Sequence, residues 1–343
     1  IADSAPFTFV VRYRGTPDPI DYPSVTFDTI GWHQREGTVY VVSEPSGAMS
    51  WIPSNNHPTD KATFDFAITT DSDLTVVANG VLDGVEEVGG GQSITTWRMD
   101  DPMTTYLAAV YIGDFELRES VTDDGLRIRN YFPPMLADDL EGDFALTADV
   151  IDFFETLFGA DYPFDEYGSI VLPFSLGFAL ENQTISVHGL DSTDSYTIAH
   201  EIMHQWAGNS ITLGDWQDIW MNEGFATYLA SLYFEDRGLP SDIEPVGIYA
   251  ALRGGSIGPA EVPIDELFGL SVYFRGGLAL HALRVEVGDD VFREILATYY
   301  DRFAGGDITT VEFLSVVDEI AGPDAVAVLD DWLYGDDLPA FPE

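Results

Sequence analysis

Two hydrophobic periods divide the chain. From residue 7 to about residue 120, apolar positions fall in short runs rich in β-branched and aromatic side chains. Phe7-Thr8-Phe9-Val10-Val11-Arg12-Tyr13, Thr38-Val39-Tyr40-Val41-Val42, Ala62-Thr63-Phe64-Asp65-Phe66-Ala67-Ile68, Leu74-Thr75-Val76-Val77-Ala78 and Thr105-Tyr106-Leu107-Ala108-Ala109-Val110-Tyr111-Ile112 read as strands. Turn formers separate them: Asn79-Gly80, Asp83-Gly84, Gly89-Gly90-Gly91 and Gly113-Asp114. Leu126-Arg127-Ile128-Arg129-Asn130-Tyr131-Phe132 predicts one more strand, punctuated by Pro133-Pro134. The period then changes. Phe144, Leu146, Val150, Ile151, Phe154, Leu157 and Phe158 recur at helical spacing, and Gly159 stops that helix. A short strand at Ser169-Ile170-Val171-Leu172-Pro173 follows, and from about residue 194 the pattern is mostly helical. The expected fold class is α+β: an N-terminal antiparallel β-sandwich or saddle over residues 1–125, then a mostly helical domain over residues 126–343.

Composition agrees with two buried cores. The chain has 343 residues, 45% of them hydrophobic, too many for one ordinary core. No apolar run approaches the roughly 18 residues that span a bilayer. The start, Ile1-Ala2-Asp3-Ser4, has neither a basic segment nor an apolar one, so no signal peptide is expected and the numbering is expected to begin after processing or truncation. The net charge is −45, from 14 basic and 59 acidic residues, and Lys61 is the one lysine. Nucleic acid needs clustered Lys and Arg, so it is not an expected partner. The acidic surface serves solubility, and at high salt its self-repulsion is screened. With no cysteine, disulfides and thiolate chemistry are excluded, and a transition metal must sit on His and carboxylates.

His200-Glu201-Ile202-Met203-His204 has that chemistry. Residues four apart share a helix face, so both imidazoles can meet one ion while Glu201 reaches a water on it. Asp194 or Ser195 can cap the helix, which is expected to run through Trp206 and end at Gly208-Asn209. Taken alone, the five residues also fit two surface histidines. Glu223 argues against that. It is the single carboxylate in Trp220-Met221-Asn222-Glu223-Gly224-Phe225-Ala226-Thr227-Tyr228-Leu229, and a buried carboxylate needs a partner. It stands 19 positions after His204, enough for one helix to fold back on another. Two His and one Glu leave a fourth position open on zinc, the catalytic arrangement. His33, His57, His188 and His281 lack ligand spacing and read as structural, with His188 nearest Glu181 in sequence.

HExxH followed by NEGFA resembles the aminopeptidase N and leukotriene hydrolase family of gluzincin metallopeptidases, and further segments match along nearly the whole chain. The resemblance implies a thermolysin-like catalytic domain and one zinc ion on His200, His204 and Glu223, with Glu201 as the base. Phe178-Ala179-Leu180-Glu181-Asn182 is similar to the family's GAMEN segment, with Phe178 for Gly and Leu180 for Met. That similarity implies a substrate-binding strand, Ala179 to Asn182, on which Glu181 binds the free α-amino group. Tyr273-Phe274-Arg275-Gly276 resembles the family's Tyr-x-Lys-Gly, with Arg275 for Lys, and makes Tyr273 the oxyanion-stabilising hydroxyl. Glu44-Pro45, before Trp51-Ile52-Pro53 and Lys61-Ala62-Thr63-Phe64, looks like the β-domain segment that reaches the site, which would give Glu44 a share of the amine. In extent the chain looks like the short bacterial form with the front of its β domain absent.

The function so implied is zinc-dependent hydrolysis of the N-terminal peptide bond, with Glu201 activating the water and with zinc and Tyr273 holding the oxyanion. The expected partners are peptides with a free N-terminus, and the expected location is secreted or at a bacterial cell surface, with the cytoplasm as the alternative. A thermolysin-like endopeptidase would use the same ligand set, so Glu181 and Glu44 separate the two. A non-catalytic peptide-binding relative would typically have lost the base or a ligand, and this chain keeps both.

Overall fold

The computed structural model describes residues 7–241, 243–252, 255–335 and 337–342. The Ile1-Ala2-Asp3-Ser4 stretch lies outside the described residues. The first strands along the chain are β1 (Ile20–Tyr22), β2 (Val25–Arg35), β3 (Thr38–Val42), β4 (Ala62–Asp71), β5 (Thr75–Ala78), β6 (Val81–Gly89), β7 (Gln92–Met103) and β8 (Val110–Gly113). Among the described residues they form two antiparallel sheets, a five-stranded one in the order β1-β2-β3-β8-β5 and a three-stranded one in the order β4-β7-β6. Trp97 of β7 joins them. Its ring is buried against the five-stranded sheet, and its indole N–H donates to the Val76 carbonyl at 3.1 Å.

The second half begins with β9 (Glu116–Val121) and β10 (Arg127–Phe132), followed by α1 (Ala137–Asp143), α2 (Thr147–Phe158), β11 (Glu166–Val171), β12 (Ala179–Leu180) and β13 (Ser186–His188). Next come α3 (Ser195–Met203), β14 (Thr212–Leu213), α4 (Trp220–Arg237), α5 (Pro245–Leu252), α6 (Gly276–Val287), α7 (Asp289–Phe303), β15 (Asp307–Ile308), α8 (Thr310–Ala321) and α9 (Pro323–Leu333). The mixed sheet has the order β12-β13-β11-β10-β9, and short β12 lies at its edge with a partner on one side only. Strand β9 precedes residue 125 yet pairs with β10, so this sheet draws a strand from the N-terminal side of the expected boundary. Tyr131, Ile170 and Val187 of the mixed sheet share one buried cluster with Val41, Val77 and Tyr111 of the first sheet. That shared apolar core holds the two halves face to face. No helix among the described residues is long and apolar enough to cross a membrane.

Three expectations change. Phe7 to Tyr13 forms no ladder among the described residues, and Phe7, Phe9 and Val10 are exposed. Alternating chemistry makes a strand only where a neighbour supplies hydrogen bonds and a covered face. The Thr105–Ile112 run is strand only from Val110; Thr105–Leu107 is a 3₁₀ turn whose apolar side chains are buried by coiling inward. The β6–β7 hairpin spans residues in which the apolar pattern marks no strand. Strand β6 is solvated on both faces, so its pairing with β7 leaves no burial alternation to read. Its turn, Gly89-Gly90-Gly91, takes positive φ at all three residues, which glycine adopts freely.

Candidate metal centre and active-site cleft

Asp194 caps α3, accepting the Thr197 backbone N–H at 3.0 Å and the Thr197 hydroxyl at 2.7 Å. Ile198, Ala199, Ile202 and Met203 pack into the core, which leaves His200, Glu201 and His204 facing the cleft. The helix ends at Met203 rather than Trp206. Beyond it the bonds tighten to i→i−3, with Gln205 N–H to Ile202 O and Trp206 N–H to Met203 O, both at 3.1 Å. His204 itself keeps helical angles, φ −56° and ψ −23°, so its ring still stands one turn from that of His200.

Helix α4 brings Glu223 to the same point. Its Oε2 lies 3.3 Å from His200 Nε2 and 3.5 Å from His204 Nε2. Ligands bound to zinc at about 2.0–2.1 Å in a tetrahedron lie roughly 3.3 Å apart, so both distances to Glu223 match zinc ligation, and all three ligand atoms lie within 4.8 Å of one another. His204 Nδ1 donates to the Ala207 carbonyl at 3.3 Å, which commits Nε2 to the ion. Gly208 makes that bend possible. Its φ is +125°, and a Cβ there would sit 3.2 Å from His204 Nδ1.

Glu44, Glu181, Glu201 and Glu223 are all buried around the two imidazoles. Burial, and then the neighbouring carboxylates, push Glu44 well above the usual range. Burial likewise raises Glu181 and Glu201, while His204 pulls both back. Burial opposes charge on Glu223 too, yet His204 and the hydrogen bonds from both imidazoles hold it at about 2. His204 is lifted, against burial, to about 10 by Glu181, Glu223 and Glu201. The pocket is therefore strongly attractive to positive charge, and a dication on three of its members answers that excess.

The residues around the centre line a cleft of about 400 Å³, with Glu44, Ala179, Glu181 and Tyr273 in its wall. Glu44 enters from the N-terminal half, two residues beyond β3. Carboxylate oxygens of Glu44, Glu181 and Glu223 lie within 4.8 Å of one another. Tyr273 sits in a π-helical turn, Ser271–Arg275, with its ring stacked on His200 at 6.1 Å. Burial, followed by the four carboxylates, raises its phenol well above 10, so it remains an O–H donor. Asn182 does not line the cleft. Its Oδ1 accepts the Tyr111 hydroxyl at 2.6 Å, so it braces the segment after β12 from behind. His188 is also turned away, buried with Nδ1 2.8 Å from the Ser192 carbonyl.

Several contributors carry no local sequence signal. Gln205 and Asn209 donate side-chain N–H groups to the Glu181 carbonyl at 3.0 and 2.7 Å. The Lys61 ammonium donates to the Asn209 and Ser210 carbonyls at 3.3 and 2.8 Å, and the Tyr106 hydroxyl donates to Gly208 O at 2.8 Å. The N-terminal half thereby pins the turn that positions Glu181. Val25, Val42, Phe268, Leu270 and Phe274 make the apolar wall, and they come from distant segments.

The Peptidase M1 N-terminal domain matches residues 29–107, and the Peptidase family M1 domain matches residues 143–243. An M1 zinc metallopeptidase from Deinococcus radiodurans is 32% identical in sequence and superposes with a TM-score of 0.88, covering 96% of this chain and 76% of that one. A mutant of that enzyme, solved with a Tyr-Ser-Ala substrate, superposes with a TM-score of 0.87. Aminopeptidase N of Bos taurus is 30% identical over 84% of this chain and 34% of its own length. Aminopeptidase 2 of Candida albicans is 28% identical over 88% of this chain and 36% of its own length. The chain thus spans about a third of these curated relatives. Since both M1 domains match in order, and sequence and fold follow an M1 zinc metallopeptidase over 76% of its length, the chain belongs to peptidase family M1 and its His-His-Glu centre is a zinc site.

Proposed function

We propose that this chain is a zinc-dependent aminopeptidase that hydrolyses the N-terminal peptide bond of peptides. The observation that carries the reading is the buried pair Glu44 and Glu181 beside the zinc ligand Glu223. Oε1 of Glu44 and Oε1 of Glu181 are buried without a hydrogen-bond partner, a costly arrangement unless a cation joins them. A substrate α-ammonium supplies that cation, and anchoring it there fixes the scissile bond one residue away. The mutant Deinococcus enzyme holds a Tyr-Ser-Ala peptide, which supports a peptide in the cleft. Strand β12 has a free edge for pairing with such a backbone.

Zinc, when bound, supplies Lewis acidity toward the carbonyl and lowers the pKa of its water to about 7. Glu201, beside His200 in the cleft, takes the proton of the attacking water and passes it to the leaving amine. Tyr273 donates its O–H to the oxygen that gains charge. Ala179 and Leu180 orient the peptide, and Asn182 holds their strand against Tyr111.

The test is hydrolysis of paired free and N-acetylated aminoacyl-nitroanilides, with and without chelator. Cleavage of the free amines alone, abolished by chelator, is expected. Equal cleavage of both series would favour an endopeptidase and reject the amine-anchoring role of Glu181 and Glu44.

A further inference from the structure

Arg275 is fully buried two residues after Tyr273 and faces away from the cleft, toward α9. Its guanidinium gathers carbonyls from two separate segments. Nε donates to Trp332 O at 2.7 Å, and Nη1 donates to Ser256 O at 2.9 Å. Nη2 donates to Asp331 O at 3.3 Å, Gly335 O at 2.6 Å and Asp337 O at 3.2 Å. Asp331 and Trp332 are in the last turn of α9, whose carbonyls have no intrahelical donor and carry the negative end of the helix dipole. A Cβ on Gly335 would lie 3.4 Å from Nη2, so the chain wraps closely around the fork. Five donors in one rigid plane suit this task, whereas a lysine ammonium cannot reach all these carbonyls at once.

The middle of the same turn carries Tyr273. A π turn is wider and less regular than an α turn and needs outside support to persist. Gly276, its C-terminal neighbour, returns N–H bonds to Ser271 O and Tyr273 O, which closes the turn on itself. Val272 anchors the turn in the core, and the clamp at Arg275 ties it to the end of α9.

We propose that Arg275 is a positioning residue: by locking the Ser271–Arg275 turn onto the end of α9 and the Ser256 loop, it holds the Tyr273 hydroxyl at the zinc centre. Asp331, Trp332, Gly335 and Asp337 thereby become determinants of turnover, although none of these four lines the cleft. The proposal rests on the aminopeptidase reading, in which Tyr273 stabilises charge that develops only during reaction. Misplacing such a group lowers kcat and leaves substrate binding nearly intact.

The test compares Arg275→Lys and Arg275→Met in two backgrounds, wild type and Tyr273→Phe. Readouts are kcat and KM for an aminoacyl-nitroanilide, zinc content and Tm. In the wild-type background, Arg275→Lys is expected to lower kcat about 3- to 10-fold and Arg275→Met more, with KM within about twofold and zinc retained. In the Tyr273→Phe background neither substitution should lower kcat further, because the group they position is gone. Equal losses in both backgrounds would show a general structural role and overturn the proposal. A folded Arg275→Met protein with full kcat would do the same. If Arg275→Met does not fold, the Lys variant decides by the same comparison. Full kcat in Tyr273→Phe alone would reject the role assigned to Tyr273, a result distinct from either outcome at Arg275.

Discussion

Gly224 and Gly276 meet backbone to backbone: a Cβ on Gly224 would lie 2.7 Å from the Gly276 carbonyl carbon. Gly224 follows the zinc ligand Glu223, and Gly276 follows the turn that carries Tyr273. The contact therefore sets the spacing between metal and hydroxyl. Gly224→Ala should force α4 and α6 apart, destabilising the fold by about 1–3 kcal/mol as overpacking does, with a lower kcat. Gly276→Ala should cost less, since its Cβ would meet Gly224 Cα and Trp220 Cβ at 3.3 Å, a distance that small shifts relieve. Urea unfolding of both variants checks the order.

Glu201 and Glu181 share the cleft but serve different steps in the proposed reaction. Glu201→Gln should keep zinc and KM while kcat falls about 10²- to 10⁴-fold, the range for losing a positioned base. Glu181→Gln should instead raise KM for free amines about 10-fold or more, since charge-assisted hydrogen bonds to the ammonium are lost. Steady-state kinetics with metal analysis separates the two. Substantial hydrolysis by a zinc-loaded Glu201→Gln protein would remove Glu201 from its role.

Removing zinc exposes the charge imbalance of the site. The buried carboxylates around His200 and His204 then lose the dication that answers them. Chelation should abolish activity and lower Tm, by linkage worth about 3 kcal/mol when free zinc stands near 100 times its Kd. One equivalent of zinc should restore both. Glu223→Gln should bind zinc far more weakly in a direct metal titration.

His188 makes folding sensitive to acid from outside the cleft. Burial holds its pKa down at about 4, although the Ser192 carbonyl and Asp194 pull it upward. Nδ1 donates to Ser192 O, and Nε2 is buried without a partner. The unfolded chain, with an ordinary value near 6.5, takes up the proton first. The contribution is thus whole above pH 6.5, fades as pH falls and is lost near pH 4, about 3 kcal/mol in full. Denaturant unfolding of metal-free wild type and His188→Asn at pH 7.5 and pH 5 should show a smaller acid loss in the variant.

Local features were legible along the chain. Four-residue spacing put His200 and His204 on one face whatever the rest of the chain did, because helix geometry is a property of the backbone. Glu223 was legible as a lone carboxylate in an apolar helix, and the GAMEN-like and Tyr-x-Lys-Gly-like segments located Glu181 and Tyr273 through family resemblance. How these pieces meet became visible in the folded chain. Phe7–Tyr13 reads as a strand yet has no ladder among the described residues, while β6 lacks alternation yet pairs with β7 along most of its length, since pairing depends on neighbours rather than on pattern. The close approach of Gly224 and Gly276, the grip of Gln205 and Asn209 on Glu181, the turn of Asn182 toward Tyr111 and the Arg275 clamp join residues far apart in the chain. Packing and hydrogen bonding act through space, and no spacing rule along one strand or helix encodes them.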